Sequence, residues 1–100
     1  MSAFVLFESK KVIDAEKLKE YTTLAPAVVA KFGGTYRVIA GNPFRIEGDW
    51  NPDYLVMLEF PSVAQAKAWY DSPEYAPLLQ MRLDSCDSTG VIIEALPAAV

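Results

Sequence analysis

Three strand-type segments of this sequence are apolar on both faces, and this feature most constrains how the chain can fold. In residues 3–7, 54–60 and 89–95, aromatic and aliphatic side chains occupy both sets of alternating positions, which point to opposite faces of a strand. A sheet that its own helices cover on one face normally shows polar residues on the other. Because large bare apolar patches are rare on monomers, we expect a second copy of the chain to cover the second face, giving a homodimer.

The order of the predicted elements is β-α-β-β-α-β. Short runs rich in β-branched and aromatic residues predict strands at residues 3–7, 35–40, 54–60 and 89–95. A first helix is predicted between Asp14, as its N-cap, and the double glycine at 33–34. A second begins after Ser62, and Ser72-Pro73 is expected to end it and start a further helical piece, with Ser72 as N-cap and Pro73 at the first helical position.

Right-handed crossovers and pairing of sequential strands fold this order into one antiparallel sheet. The predicted strand order is four-one-three-two, with both helices on one face, which is a ferredoxin-like α+β fold. One hundred residues correspond to one domain, so we expect residues 1–96 to form it and residues 97–100 to form a short tail.

Composition excludes several kinds of function. The chain has no histidine and a single cysteine, whereas histidine-ligated haem, Ser-His-Asp and Cys-His nucleophiles and the usual zinc sites all need those residues. A net charge of −4 with scattered basic residues argues against nucleic acid, and no apolar run reaches the about 20 residues of a membrane span. We expect neither a cofactor nor a metal. Because the chain has one cysteine and no signal-like N-terminal segment, we expect a cytoplasmic protein.

Two strands place charged residues beside one another. Glu59 ends the third strand and Arg37, on the same face as Thr35 and Ile39, lies near the start of the second, so antiparallel pairing predicts that they meet. Two interpretations stay open. The pair is either a solvated strand-end contact, or the charged floor of an apolar pocket in which a carboxylate acts as general base.

Five segments appear in an order and spacing typical of one family. They are the double glycine at 33–34, Glu-Gly-Asp-Trp at 47–50, Leu-Glu-Phe-Pro-Ser at 58–62, Trp-Tyr-Asp-Ser-Pro-Glu-Tyr at 69–75, and Arg-Leu at 82–83 followed by Asp-Ser at 87–88. From about residue 4 to 95 the chain resembles the family called domain of unknown function 1330, in the dimeric α/β-barrel superfamily. The 69–75 segment is the specific part. The resemblance implies a ferredoxin-like protomer whose sheet pairs with a partner's sheet as a barrel.

The wider superfamily includes cofactor-free monooxygenases of aromatic polyketides, haem-degrading oxygenases, lactone isomerases and stress-associated proteins, which typically use a pocket between the sheet and its helices. Without histidine, this chain departs from members whose haem ligand or base is histidine. The matched positions imply a pocket with the following aromatic and polar residues: Trp50, Trp69, Tyr70, Tyr75, Arg37, Glu59 and Arg82.

Three functions remain open at this point. The first is a cofactor-free enzyme, isomerase or monooxygenase-like, acting on a small hydrophobic, aromatic or acidic metabolite. Glu59 or Tyr70 would be its acid-base group, and Arg37 or Arg82 would hold an oxyanion. The second is a non-catalytic dimeric ligand-binding or stress-associated module, and the third a purely structural dimer. Trp50 is either a pocket wall or a seal of the long hairpin loop or of the dimer seam.

Overall fold

The computed structural model describes residues 1–97 and confirms the predicted order of elements, with the second helical stretch in two pieces. The strands and helices are β1 (Ala3–Val12), α1 (Ala15–Lys31), β2 (Thr35–Ala40), β3 (Tyr54–Phe60), α2 (Val63–Tyr70), α3 (Ala76–Ser85) and β4 (Cys86–Glu94). Of the tail expected at 97–100, all but Pro97 lies outside the described residues. No helix within residues 1–97 is long and apolar enough to cross a membrane.

The sheet has the strand order β2-β3-β1-β4, and every neighbouring pair is antiparallel, as predicted. Strand β1 is longer than the apolar run 3–7 because its charged second half pairs with the start of β4, where Lys11 lies opposite Asp87 and Val12 opposite Cys86. Backbone hydrogen bonds make this extension and need no apolar side chain. For the same reason β4 begins at Cys86 and not at residue 89.

The two faces of the sheet differ in how they are covered. The helices cover the face that carries the buried residues Ala3, Val5, Phe7, Leu58 and Phe60. The opposite face, hereafter the open face, has no helix of residues 1–97 against it. Its apolar residues are Phe4, Leu6, Val38, Leu55, Met57, Val91 and Ile93. Val91 is 53% exposed and Ile93 is 47% exposed, so the second apolar face predicted from the sequence is bare in one protomer.

A bulge in β2 changes which residues share a face. Thr35 lies opposite Glu59 on the open face, but the register shifts between Tyr36 and Val38, and Ile39 then lies opposite Val56. Ile39 therefore does not share a face with Thr35, contrary to the simple alternation. An extra residue in one strand reverses the alternation beyond it, and nothing in the local sequence marks its position.

Local capping fixes both ends of α1. The Asp14 side chain accepts a hydrogen bond from the Lys17 backbone N–H at 3.1 Å, as expected of an N-cap. At the other end, Gly33 has φ of +84°, and the Gly34 N–H donates to the Val29 carbonyl at 2.9 Å. These are the left-handed conformation and the hydrogen bond of a Schellman motif, which turns the chain into β2.

The junction between α2 and α3 differs from the prediction. Helix α3 begins at Ala76, and not at Pro73, because Pro77 has no N–H to donate to the carbonyl four residues earlier. Ser72 instead caps a turn: its Oγ accepts from the Tyr75 N–H at 3.1 Å and donates to the Trp69 carbonyl at 2.8 Å. This turn fixes the 69–75 segment against the core.

Candidate functional site

The structure divides the seven predicted site residues between the two sides of the sheet. On the helix side lie Trp69, Tyr70, Tyr75 and Arg82. On the open-face side lie Arg37, Glu59 and Trp50. The sheet separates the two groups, so one protomer does not bring them together in one pocket.

Two members of the helix-side group, Tyr70 and Arg82, line a cavity of about 290 Å³ between α3 and the β1–β4 edge of the sheet. Its lining residues are Val5, Phe7, Tyr70, Arg82, Leu83, Ser88, Gly90, Val91 and Ile92. The walls are mainly apolar, and the polar side chains among them are those of Tyr70, Arg82 and Ser88. None of the lining residues is a carboxylate.

Arg82 is the charged group of this cavity. In α3 it follows Leu78 by four residues and precedes Ser85 by three, which places all three on the buried face of the helix. Its side chain lies over the Phe7 ring, with the guanidinium carbon 4.3 Å from the ring centroid, and its Nη1 donates to Ser88 Oγ at 2.7 Å. Stacking on the ring stabilises the cation in place of water.

Arg82 nevertheless lacks an anionic partner among residues 1–97. It is only 7% exposed, its Nε is buried without a hydrogen-bond acceptor, and no carboxylate of the described chain forms a salt bridge with it. A buried charge is costly unless it is paired and hydrogen-bonded. The cavity therefore has an unmet requirement for negative charge.

Tyrosines surround this cation. Burial alone would lower the pKa of Arg82, but the neighbouring side chains of Tyr75, Tyr21 and Tyr70 outweigh it, and the pKa is raised. The Tyr75 and Tyr21 hydroxyls are hydrogen-bonded at 2.8 Å, and burial together with Tyr75 raises the pKa of Tyr21. At neutral pH the site thus contains a charged guanidinium, and Tyr21 near it stays protonated.

Trp69 and Tyr75 belong to the core beneath the cavity and do not line it. Both are fully buried, with ring centroids 4.4 Å apart, and Trp69 also packs against Phe60 at 5.2 Å. The adjacent Tyr70 is half-buried and does line the cavity. Successive helical residues are about 100° apart, which gives one core residue and one rim residue, as the sequence suggested.

On the other side of the sheet, Arg37 and Glu59 form the predicted pair. Arg37 Nε donates to Glu59 Oε1 at 2.9 Å, and the pair lies near the surface. This hydrogen bond holds the pKa of Glu59 below its ordinary value. An accessible carboxylate with a lowered pKa is a weak base, and it lies outside the helix-side cavity.

Trp50 borders a second cavity, of about 320 Å³, on the open face. Its indole Nε1 donates to Glu8 Oε2 at 3.3 Å, and the ring is 57% exposed. The other lining residues are Leu6, Leu55, Thr89, Gly90 and Val91. This position at the edge of the open face fits the alternative in which Trp50 seals a dimer seam.

Sequence reasoning missed the residues that position Arg82. The Phe7 ring is the surface on which the Arg82 guanidinium stacks, and Ser88 accepts a hydrogen bond from it. Gly90 lies opposite Phe7 in the β1–β4 ladder and leaves space for the Phe7 ring. Phe7, in β1, is about eighty residues away in the sequence from Ser88 and Gly90, which are in β4. Only the strand register brings them together, although Ser88 belongs to the Asp-Ser segment at 87–88 that is typical of the family.

The strand order and the one-sided helices define a ferredoxin-like α+β protein with a pocket between sheet and helix. The family model described as domain of unknown function (DUF1330) matches residues 2–96. The chain therefore belongs to this family, as the motifs predicted. No curated protein matches its sequence.

Solved structures support the fold. A protein of unknown function from Rhodopseudomonas palustris is 19% identical with a TM-score of 0.73, over 96% of this chain and 83% of that one. A dimeric ferredoxin-like protein of unknown function from Jannaschia sp. CCS1 is 15% identical with a TM-score of 0.72, over 95% and 100%. A cofactor-independent oxygenase from Streptomyces nogalater is 13% identical with a TM-score of 0.65, over 97% and 94%. At these identities the likeness concerns the fold alone.

Proposed function

We propose that the helix-side cavity binds a small, mainly apolar metabolite that has or develops a negative charge, and that Arg82 holds this charge. The observation behind the proposal is that Arg82 is buried, stacked on Phe7 and without an acidic partner among residues 1–97. A ligand oxyanion would approach the guanidinium from the cavity, with the Ser88 hydroxyl beside it.

The proposed activity is cofactor-free chemistry on an enolisable or phenolic substrate. A guanidinium that stabilises an enolate or phenolate lowers the pKa of the substrate and so promotes loss of its proton. Tyr70, at the cavity wall, is the group that would accept this proton in its tyrosinate form and then, as the neutral phenol, return it. Return of the proton to a different atom isomerises the substrate. Alternatively, the carbanion reacts with dioxygen, which is the oxidant, to give a peroxide; this takes up the proton and loses water, and one oxygen atom stays on the substrate as a carbonyl group. The description of the S. nogalater protein as a cofactor-independent oxygenase supports the second outcome.

We propose further that the protein is a homodimer through the open face. That face is apolar and uncovered in the protomer, with Val91 and Ile93 about half exposed. The similar Jannaschia protein is described as dimeric. In this proposal Arg37, Glu59 and Trp50 belong to the dimer side of the sheet and not to the cavity of Arg82.

A non-catalytic ligand-binding module is the second candidate. It is favoured by the chemistry of the cavity lining, which has no carboxylate, in a chain that has no histidine. Among the lining residues, Tyr70 is the one candidate acid-base group. A module that binds a ligand without converting it needs no acid-base group.

Binding of an aromatic anion tests the shared part of both candidates. We expect 1-naphthoate to bind more tightly than the neutral 1-naphthamide. In R82Q the ratio of the two dissociation constants should fall by about 10- to 100-fold, which corresponds to the usual free energy of a charge-assisted hydrogen bond. The control K67Q removes an exposed positive charge from α2 and should keep the preference. S88A, which keeps the cation, should weaken naphthoate binding less. Equal affinities of both ligands for the wild type would refute the proposal.

Proton exchange then separates the enzyme from the binding module. In deuterated water, the wild type should accelerate hydrogen exchange at the acidic carbon of 2-tetralone, an enolisable apolar ketone, and Y70F should lose most of this acceleration. Binding of naphthoate with no acceleration of exchange would favour the non-catalytic module.

A further inference from the structure

The loop between β2 and β3, residues 41–53, presents apolar side chains at its tip. Phe44 is 88% exposed and Ile46 is 90% exposed, more than any other large hydrophobic residue described in the chain. Exposed apolar groups gathered in one place mark interaction sites. The loop is therefore a candidate contact surface and not only a connection.

The loop is held at both ends, so its tip is presented in a defined direction. At the start, Ala40, Gly41 and Asn42 all have positive φ, of 69°, 76° and 44°, and the Gly41 N–H donates to the Ile39 carbonyl at 2.9 Å. The left-handed region is unfavourable for alanine, so the surrounding structure must impose this turn. At the other end, the Trp50 indole is tied to Glu8 on the open face.

Glu8 is an acidic group beside apolar residues of the open face. It lines the open-face cavity with Leu6 and Leu55, and no Lys or Arg of residues 1–97 forms a salt bridge with it. When a second copy covers the open face, this carboxylate loses water and requires a cation. Within the loop 41–53 the single basic residue is Arg45, which lies between the two exposed apolar residues.

We infer that residues 41–53 form an arm exchanged between two copies of the chain. In the dimer, Phe44 and Ile46 pack on the partner's open face, and Arg45 pairs with the partner's Glu8. The second copy is the occupant that matches both the apolar tip and the charge. This inference rests on the proposed homodimer, and it goes further by naming the residues that each copy contributes to the other.

The apolar part is tested by the dimer dissociation constant, measured by sedimentation equilibrium. Burial of two large apolar side chains from each copy predicts that F44S/I46S raises this constant at least ~100-fold. I13S is the matched control, because it removes an isoleucine that is 64% exposed outside the arm. If the wild type is dimeric and the dissociation constant of F44S/I46S lies within about threefold of the wild-type value, the exchanged arm is refuted but the dimer is not. A monomeric wild type would overturn both.

The charge part is tested by two complementary variants. E8R alone and R45E alone each place like charges opposite one another in both copies, so each should dimerise weakly. Mixed in equal amounts, they restore opposite charges at both contacts and should form a heterodimer, which native mass spectrometry detects by its mass. Such a heterodimer would also show that the contact is between chains and not within one. Two individually weak dimers that remain unassociated after mixing would refute the pairing of Arg45 with Glu8.

Discussion

Gly90 is the position where the smallest substitution should disturb the site most. A Cβ at this residue would lie 2.5 Å from Cε1 and 2.6 Å from Cδ1 of Phe7, and ordinary contact between carbon atoms begins near 3.5 Å. The Phe7 ring must therefore move by about 1 Å in G90A. It has little room to do so, because it lies against Trp69 at 6.3 Å between ring centroids and supports Arg82 at 4.3 Å.

The expected loss of stability follows from two opposing effects. Overpacking of a filled core costs about 1–3 kcal/mol. Alanine restricts the conformations of the unfolded chain more than glycine does. Where alanine can adopt the native backbone conformation, this stabilises the folded protein by about 0.4–1 kcal/mol. Taking the middle of each range, the net loss for G90A is about 1.3 kcal/mol, or roughly 5–10 °C in melting temperature for a domain of this size.

Urea unfolding followed by tryptophan fluorescence measures this loss, and a second substitution identifies its cause. F7L shortens the side chain that the new Cβ would strike, so G90A/F7L should lose less than the sum of the single variants, by about 1 kcal/mol. Additive effects within about 0.5 kcal/mol would mean that Phe7 is not what Gly90 accommodates. G90A as stable as the wild type would refute the close contact itself.

Two further predictions concern pH. Burial raises the pKa of Tyr21, and it raises that of Tyr36 to about 12, both above the value of about 10 in the unfolded chain. The stability that Tyr36 contributes is therefore complete below about pH 10 and is lost as the pH rises through about 12. Urea unfolding across this range should show the decline, and a tyrosinate absorbance near pH 10 that the folded wild type shows and Y36F lacks would contradict it. For Glu59, whose pKa is lowered by the hydrogen bond from Arg37, R37Q should raise the pKa toward its ordinary value with little change in stability. Carboxyl carbon NMR titration measures this, and the same pKa in both proteins would show that Arg37 is not the cause.

The sequence by itself determined the architecture. Alternating apolar residues, helical spacing and the chain breaks at glycine and proline are local properties, so they predicted the strand order and the apolar second face. Capping is local too: Asp14 and Gly33 end α1 as their chemistry requires. Recognition of the family also came from segments that are contiguous in the chain, above all residues 69–75.

The tertiary structure decided which of the suggested residues form a site. Alternation says that neighbouring positions point to opposite faces but not which face the helices cover, and the bulge near Arg37 reverses it partway along β2. Arg82 could have paired with a nearby carboxylate. It instead reaches Phe7 and Ser88, because α3 and the β1–β4 register place them beneath it. These contacts depend on pairings between distant parts of the chain, and strand register is set by the packing of the whole sheet.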